Sequence, residues 1–436
     1  MHKIILHNLG PIDHCEINLN ELIVLTGPQS NGKSTVAKAV YFFRTIKDDI
    51  LDLMLRISPD DMEEKWKKRL SKRLKDKFMQ LFGSTYGMSN QMEAVYYYDR
   101  KSYVKVFLRP NYRSGGPNYV NIEFSQNIMD YLRELDSHIF TDITNNQIKR
   151  YRNKLEDIFC DPYETVFIPA GRNMITLLTS QLNYIFASMS ENQKRGIDYC
   201  TQGYIQLVLR LKPLFAHGIA GLLSDKVNLT QDKFNMVLAK KMKALIAKIL
   251  KGRYQYEYGE EKLYIGQGQD TSYVKINFAS SGQQETVWIT NILFYYLLEN
   301  RPVFLVVEEP ESHLYPDAQK LIAELLSMFM HNSNSLMITT HSPYVLGTLN
   351  NLIYADILEK RGVDGVSKVI DPDTIVDNSK VSAYHVHSGT LEDAINEDMR
   401  IIKSELIDGA SIDITGDCDA LYELSCEEDE SNGGCY

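Results

Sequence analysis

The chain has 436 residues, long enough for two or three compact units around a sizeable core. Hydrophobic residues make up 44% and charged residues 24%, with Gly 25 and Pro 13, which excludes collagen-like and wholly disordered classes. The net charge of −10 is uneven: residues 392–436 hold fourteen Asp/Glu against Arg400 and Lys403, a net of −12, leaving +2 elsewhere. Acidity is thus a property of the tail and does not argue against a phosphate or nucleic-acid site in the body.

In chain order, Lys3 to Leu6 and Cys15 to Leu19 read as short strands around Leu9-Gly10-Pro11, and Glu21 to Thr26 as a buried strand. Val36 to Thr45 has helical apolar spacing. Residues 50–82 read as helical and basic, with Trp66, Leu70, Leu74, Phe78 and Leu81 on one stripe and eight Lys/Arg among residues 65–77. That pattern fits a solvated helix packed by its stripe, and it also fits contact with nucleic acid or an acidic surface. Ala94 to Tyr98, Tyr103 to Leu108 and Tyr119 to Phe124 resemble an antiparallel meander whose tyrosines are half-buried sheet residues. Residues 128–160 read as helical, Thr165 to Pro169 as a strand, residues 173–251 as helices broken at Pro213, and Tyr254 to Phe278 as β-rich.

No apolar run approaches the roughly 18 residues of a membrane span, and the first residues turn polar before a signal-like core develops, so a cytoplasmic protein without membrane contact is expected. The cysteines at 15, 160, 200, 418, 426 and 435 form no CxxC pair, so free thiols are expected.

The strongest local signal is Gly27-Pro28-Gln29-Ser30-Asn31-Gly32-Lys33-Ser34-Thr35, a P-loop pattern between a predicted strand and a predicted helix. Its glycines permit tight backbone geometry, its amides and helix entrance favour phosphate oxygens, Lys33 offsets β/γ charge and Ser34 can ligate Mg²⁺. The apolar run Val303 to Val307 ends in Glu308-Glu309-Pro310-Glu311. Such a strand end suits a metal-holding acid, Glu308, followed by a water-polarising acid, Glu309. Ala279-Ser280-Ser281-Gly282-Gln283-Gln284-Glu285 precedes an apolar helical run and suits an anion at a helix entrance.

Together these motifs resemble the ABC-type ATPases of the SMC, RecF and OLD-like group: P-loop as Walker A, SSGQQE as signature, FLVVEEPE as Walker B. Leu336 to Pro343 supplies the strand and switch histidine His341, and Pro310 to Pro316 resembles the D-loop segment. The resemblance implies an α/β, ABC-type P-loop head with a large helical and β insertion between Walker A and signature. It divides the chain into a first head part, 1–45, an insertion, 46–251, returning to the head near 165–172, a second head part, 252–360, and a C-terminal extension, 361–436. It also implies ATP and Mg²⁺ as cofactors. Gly27, Asn31, Gly32, Lys33, Ser34 and Thr35 would bind nucleotide on one subunit, and Ser281, Gly282 and Gln283 would complete that site from another, in a homodimer or higher oligomer. His341 would contact the γ-phosphate.

Phe167 to Arg172 resembles a segment of the same ATPases, with Arg172 as a phosphate or subunit contact or a structural ion pair. SSGQQE and Glu308 depart from transporter patterns and look like OLD-like ATPases. No Toprim-like acidic set follows His341, and neither Asp417-Cys418-Asp419 nor His385-Val386-His387 has metal-site support. The chain resembles stand-alone ATPase subunits of prokaryotic antiphage systems, of the PtuA and AriA types. That likeness implies a switch controlling a separate effector such as a nuclease. A RecF-like repair ATPase, binding DNA through the basic helix, is the alternative.

Overall fold

The computed structural model describes residues 2–56, 64–110, 118–137, 144–177, 184, 188–190, 196–229, 234–266, 272–299 and 301–431. Its strands are β1 (His2–Leu9), β2 (Ile12–Leu19), β3 (Leu22–Thr26), β4 (Glu93–Tyr97), β5 (Tyr103–Arg109), β6 (Tyr119–Phe124), β7 (Glu164–Ile168), β8 (Arg253–Glu257), β9 (Glu260–Ile265), β10 (Ser272–Lys275), β11 (Val303–Glu308), β12 (Ser335–Thr339), β13 (Val381–His387) and β14 (Thr390–Asp393). Eleven of them form one sheet in the order β6-β5-β4-β1-β2-β14-β13-β3-β12-β11-β7, and β8 to β10 form a small antiparallel sheet.

The sheet has two regimes. From β13 through β3, β12 and β11 to β7 every pairing is parallel. The strands β6, β5, β4, β1 and β2 pair antiparallel. Parallel strands are covered on both faces and therefore read as unbroken apolar runs. Successive residues alternate between two cores: Leu22, Val24, Val303, Leu305 and Val307 lie in one, and Ile23, Leu25, Phe304 and Val306 in the other. The helix Lys33–Arg44 covers the second face through Val36, Val40 and Phe43, and helices Ser281–Leu298, Pro316–Met330 and Pro343–Lys360 cover the first. This is the α/β P-loop head expected from the motifs.

The predicted apolar stripe of the basic segment is the buried face of helix Trp66–Phe82. Two of its cations turn inward to Asp49, with Arg73 Nε at 2.8 Å and Lys77 Nζ at 2.5 Å, so they serve packing. The segment 128–160 forms two helices, Gln126–Leu135 and Asn145–Ile158, and residues 138–143 lie outside the described residues. Pro213 sits in a 3-10 turn after the helix Tyr199–Leu211.

Two boundaries of the sequence-based division differ from the structure. Strands β4 to β6, assigned to an insertion, continue the main sheet from β1. Strands β13 and β14, assigned to a C-terminal extension, lie inside that sheet, with Val381 to His385 in register with Leu22 to Thr26. Main-chain pairing carries no motif, which is why spacing between motifs did not locate them. The acidic tail enters the helix Glu405–Ser431. Asp417 and Asp419 stand two positions apart on it, so they leave the helix on different faces and do not converge on one ion.

Candidate nucleotide site

The sheet's parallel regime delivers the motif residues to one end. β3 runs into the P-loop, which feeds the helix Lys33–Arg44 with Gly32 as its N-cap at φ 103°. Gly27, at φ +134°, passes β13 so closely that a Cβ would lie 2.2 Å from the Val386 carbonyl oxygen. Position 27 therefore excludes any side chain on both conformational and steric grounds. At Gly32 a Cβ would stand 2.4 Å from Ile12 Cδ1, so the β1–β2 turn presses on the loop. Thr35 Oγ1 would be 3.7 Å from a Cβ on Gly10 of the same turn. Asn31 is half-buried in the loop, and Ser34 is exposed at the helix entrance.

Lys33 Nζ donates to the loop carbonyls of Gly27 at 2.8 Å and Pro28 at 2.7 Å. Burial pushes its ammonium below the usual lysine range, while Glu309 and Glu311 pull it back up. The cation is thus held between the loop and the acids at the end of β11.

Glu308 ends β11 with only 5% exposure. Burial pushes its carboxyl up, against the Ser34 side chain and the Ala170 amide, which favour the ionised form. Oε2 accepts from Ala170 N at 3.3 Å, whereas the buried Oε1 has no hydrogen-bond partner. A buried orphan acceptor beside a serine hydroxyl suits a divalent cation.

Glu309 adopts φ 44°, a left-handed conformation that costs a non-glycine residue about 1–3 kcal/mol and gathers at functional sites. Its amide still donates to Thr339 O at 2.9 Å, so the turn begins while the residue remains tied to β12. The carboxylate reaches His341, with Oε1 3.6 Å from Nε2, and its Oε2 accepts from Ser312 Oγ at 3.2 Å. Glu311, quoted in the Walker B and D-loop-like segments but given no role from the sequence, fixes the histidine's backbone. Its Oε1 accepts from His341 N at 2.8 Å and Thr340 Oγ1 at 2.7 Å.

Arg172 is fully buried and is a structural clamp. Nη1 donates to Pro169 O at 2.6 Å and Glu308 O at 2.7 Å, Nη2 to Glu309 O at 2.9 Å, and Nε to Glu285 O at 3.1 Å. Glu285 returns its carboxylate to Arg172 Nε at 3.1 Å and to the amides of Arg172 and Asn173. With its donors committed, Arg172 takes the ion-pair role rather than the phosphate contact. It joins the ends of β7 and β11 to the helix Ser281–Leu298. Glu285 was quoted in the signature segment, but its partner lies 113 positions away in sequence, beyond any local pattern.

The signature residues stand apart. Ser280 caps the helix Ser281–Leu298 in a reciprocal capping box with Gln283. Gln283 Oε1 accepts from Ser280 N at 3.1 Å and its Nε2 donates to Leu250 O at 2.8 Å. Its amide is thus engaged within its own chain at the position expected to face nucleotide. Ser281 is exposed. A Cβ on Gly282 would lie 2.7 Å from His313 O, which makes Ser281 the better position for probing this surface. Among the described residues no hydrogen bond joins Ser281, Gly282 or Gln283 to the P-loop.

The family described as "AAA ATPase domain" (AAA_15) matches residues 1–346. The chain belongs to that family. The matched segment of this AAA ATPase domain holds the P-loop, the signature segment, both β11 acids and His341, and it stops short of β13 and β14.

No curated protein matches the chain. Among solved structures it is similar to an SMC head bound to the C-winged helix domain of ScpA, at 12% identity and TM-score 0.42 over 90% of this chain and 95% of that one. It is also similar to the SMC head domain from Thermotoga maritima, at 12% identity and TM-score 0.35 over 91% and 98%. A Pyrococcus furiosus Smc head with an extended coiled coil, bound to the C-terminal domain of ScpA, matches at 12% identity and TM-score 0.36 over 90% and 96%. No single helix among the described residues is long and apolar enough to cross a membrane.

Proposed function

We propose that this AAA ATPase domain protein is an ATP-hydrolysing, ABC-type switch that works as a cytoplasmic homodimer or higher oligomer and controls a separate effector. The observation that carries the enzymatic part is the convergence of Lys33, Glu308, Glu309 and His341 at one end of the parallel strands. Lys33 exchanges its loop carbonyls for β/γ-phosphate oxygens. Glu309 takes a proton from the attacking water, while His341, braced by Glu309 and Glu311, orients that water against the γ-phosphate. Ser34 and Glu308 would hold Mg²⁺, which neutralises charge on the phosphates when bound.

Lys33→Ala removes the ammonium and its charge-assisted hydrogen bonds, worth about 3 kcal/mol or on the order of 100-fold in Kd. Equilibrium ATP binding checks this, and affinity within twofold of wild type would remove Lys33 from the phosphate site. The exposed Ser281 and its engaged neighbours support a signature surface that acts on a second subunit's ATP. Ser281→Arg should therefore leave ATP binding by the single chain intact and suppress turnover by at least tenfold, read by phosphate release.

The effector reading rests on the resemblance to antiphage ATPase subunits, with a companion nuclease as the output. A purified chain that hydrolyses ATP without cutting DNA, and gains cleavage when the neighbouring gene product is added, is the expected result. Metal-dependent cleavage by the chain alone, lost in a Glu308 or Glu309 variant, would contradict it.

One observation favours a RecF-like, DNA-binding reading: Lys65, Lys67, Lys68 and Lys72 of the basic segment remain exposed. If it holds, DNA affinity falls linearly in log–log plots against salt and weakens in Lys67→Glu/Lys72→Glu.

A further inference from the structure

A cleft of about 570 Å³ opens at the other end of the parallel strands, where β7 and β11 begin, lined by Glu164, Thr165 and Pro302. Five residue steps of β11 separate Val303 from Glu308, so the cleft lies about 17 Å from the acids of the ATP site. A smaller cavity of about 310 Å³ adjoins it and shares Tyr41, Glu164, Thr165, Gln206 and Arg210.

The charges around the cleft do not all cancel. Asp49 is satisfied by Arg73 and Lys77 and Asp52 by Arg73, whereas Glu164 meets a neutral donor, the Tyr296 hydroxyl, at 2.7 Å. Lys47 donates to the carbonyls of Asp161 and Tyr163. Arg152, Arg210 and Arg301 also line the cleft, and among the described residues none of them has a carboxylate within ion-pair distance. Three guanidiniums lining one concave surface offer paired N–H donors of the kind that bind phosphate oxygens.

A second, independent observation points the same way. Thr165 is 8% exposed and its Oγ1 has no hydrogen-bond partner, although it lines both cavities. Buried hydroxyls are ordinarily satisfied, so one left open at a cleft marks a ligand contact. The three remaining acids, Asp48, Glu156 and Glu164, restrict what that ligand can be. Asp48 is open to water yet ringed by protein, which pushes its carboxyl up to about 6. A bare polyanion would meet these three acids as well as the arginines. A ligand whose far end carries N–H donors would use Asp48, and Tyr41, Tyr163 and Tyr199 also line the cleft.

The geometry points to a second ligand site in this cleft, for a small phosphate-bearing molecule of nucleotide size, with its phosphate on Arg152, Arg210 and Arg301 and its base end toward Asp48 and Thr165. The helix Lys33–Arg44 connects it to the ATP site, starting at the P-loop lysine and presenting Tyr41 to the cleft, with Thr45 directly after its last turn. Occupancy of the cleft therefore bears on the helix that carries Lys33.

The test is equilibrium dialysis of the full chain with GMP, AMP and inorganic pyrophosphate as probes. The mononucleotides lack the β- and γ-phosphates that Lys33 serves, so this readout is independent of whether the chain hydrolyses ATP. We expect one mononucleotide to saturate at one per chain, unchanged in Lys33→Ala. In Arg210→Ala/Arg301→Ala, two exposed positions outside the ATP site, it should weaken at least tenfold while ATP turnover without ligand is unchanged. Absence of saturable mononucleotide binding would overturn the proposal. So would binding that disappears in Lys33→Ala and survives in the arginine variant. Pyrophosphate binding to Lys33→Ala as tightly as the mononucleotides would refute the base end, and arginine-dependent binding of 5′-phosphorylated DNA alone would refute a small-molecule ligand.

Discussion

Replacing Glu309 by Gln is expected to keep ATP affinity within about twofold and to slow phosphate release on the order of 100- to 10,000-fold, the range for removal of a general base. Glutamine keeps the size and the hydrogen bond from Ser312 Oγ but cannot accept a proton from water. The left-handed backbone at position 309 is unaffected, so the carbonyl held by Arg172 stays in place. Equilibrium binding beside steady-state phosphate release separates the two effects. Unchanged turnover would take Glu309 out of the chemistry and leave its strained conformation without a catalytic role.

The second large effect concerns stability. Arg172→Met should cost about 3–5 kcal/mol, because it leaves Glu285 as a buried unpaired charge and four carbonyls, of Pro169, Glu285, Glu308 and Glu309, without their side-chain donor. Urea denaturation of the full chain reads this as a lowered midpoint. Adding Glu285→Leu removes the orphan charge and should recover part of the loss, yet the carbonyls at the end of β11 remain unheld. Turnover is therefore expected to stay low in the double variant even where stability returns. A double variant with wild-type turnover would show that the clamp supports the fold alone.

The candidate site was legible in the sequence because each motif is local. The P-loop spacing, the paired acids after an apolar strand and the Thr-Thr-His-Ser-Pro segment each fit within ten residues, and strand period and helix entrance place them. The apolar stripe of helix Trp66–Phe82 was likewise visible, since its i, i+4 spacing is a local property. What could not be read is long-range. Arg172 finds Glu285 through folding, and Val386 lies against Gly27 only because β13 pairs with β3. The strand pairings across positions 46 and 361 stay unread for that same reason: β1 meets β4 and β3 meets β13 across long stretches of chain whose sequences carry only ordinary alternation. Gln283 illustrates a third case, where a residue type suited to nucleotide contact is engaged by its own helix cap.

The central claim is that ATP is hydrolysed at a site built from the P-loop and acids of one subunit and the signature surface of another. Mixing the Lys33→Ala and Ser281→Arg chains tests it most directly, since neither homodimer holds a complete site while each mixed dimer holds one. Random pairing makes half of the dimers mixed, with half of their sites intact, so turnover should return to about a quarter of the wild-type rate per chain in a two-fold assembly. Phosphate release is measured on mixtures whose exchange is verified by differently tagged chains. Recovery to that level is the expected result, and no recovery in verified mixed dimers would contradict the shared site.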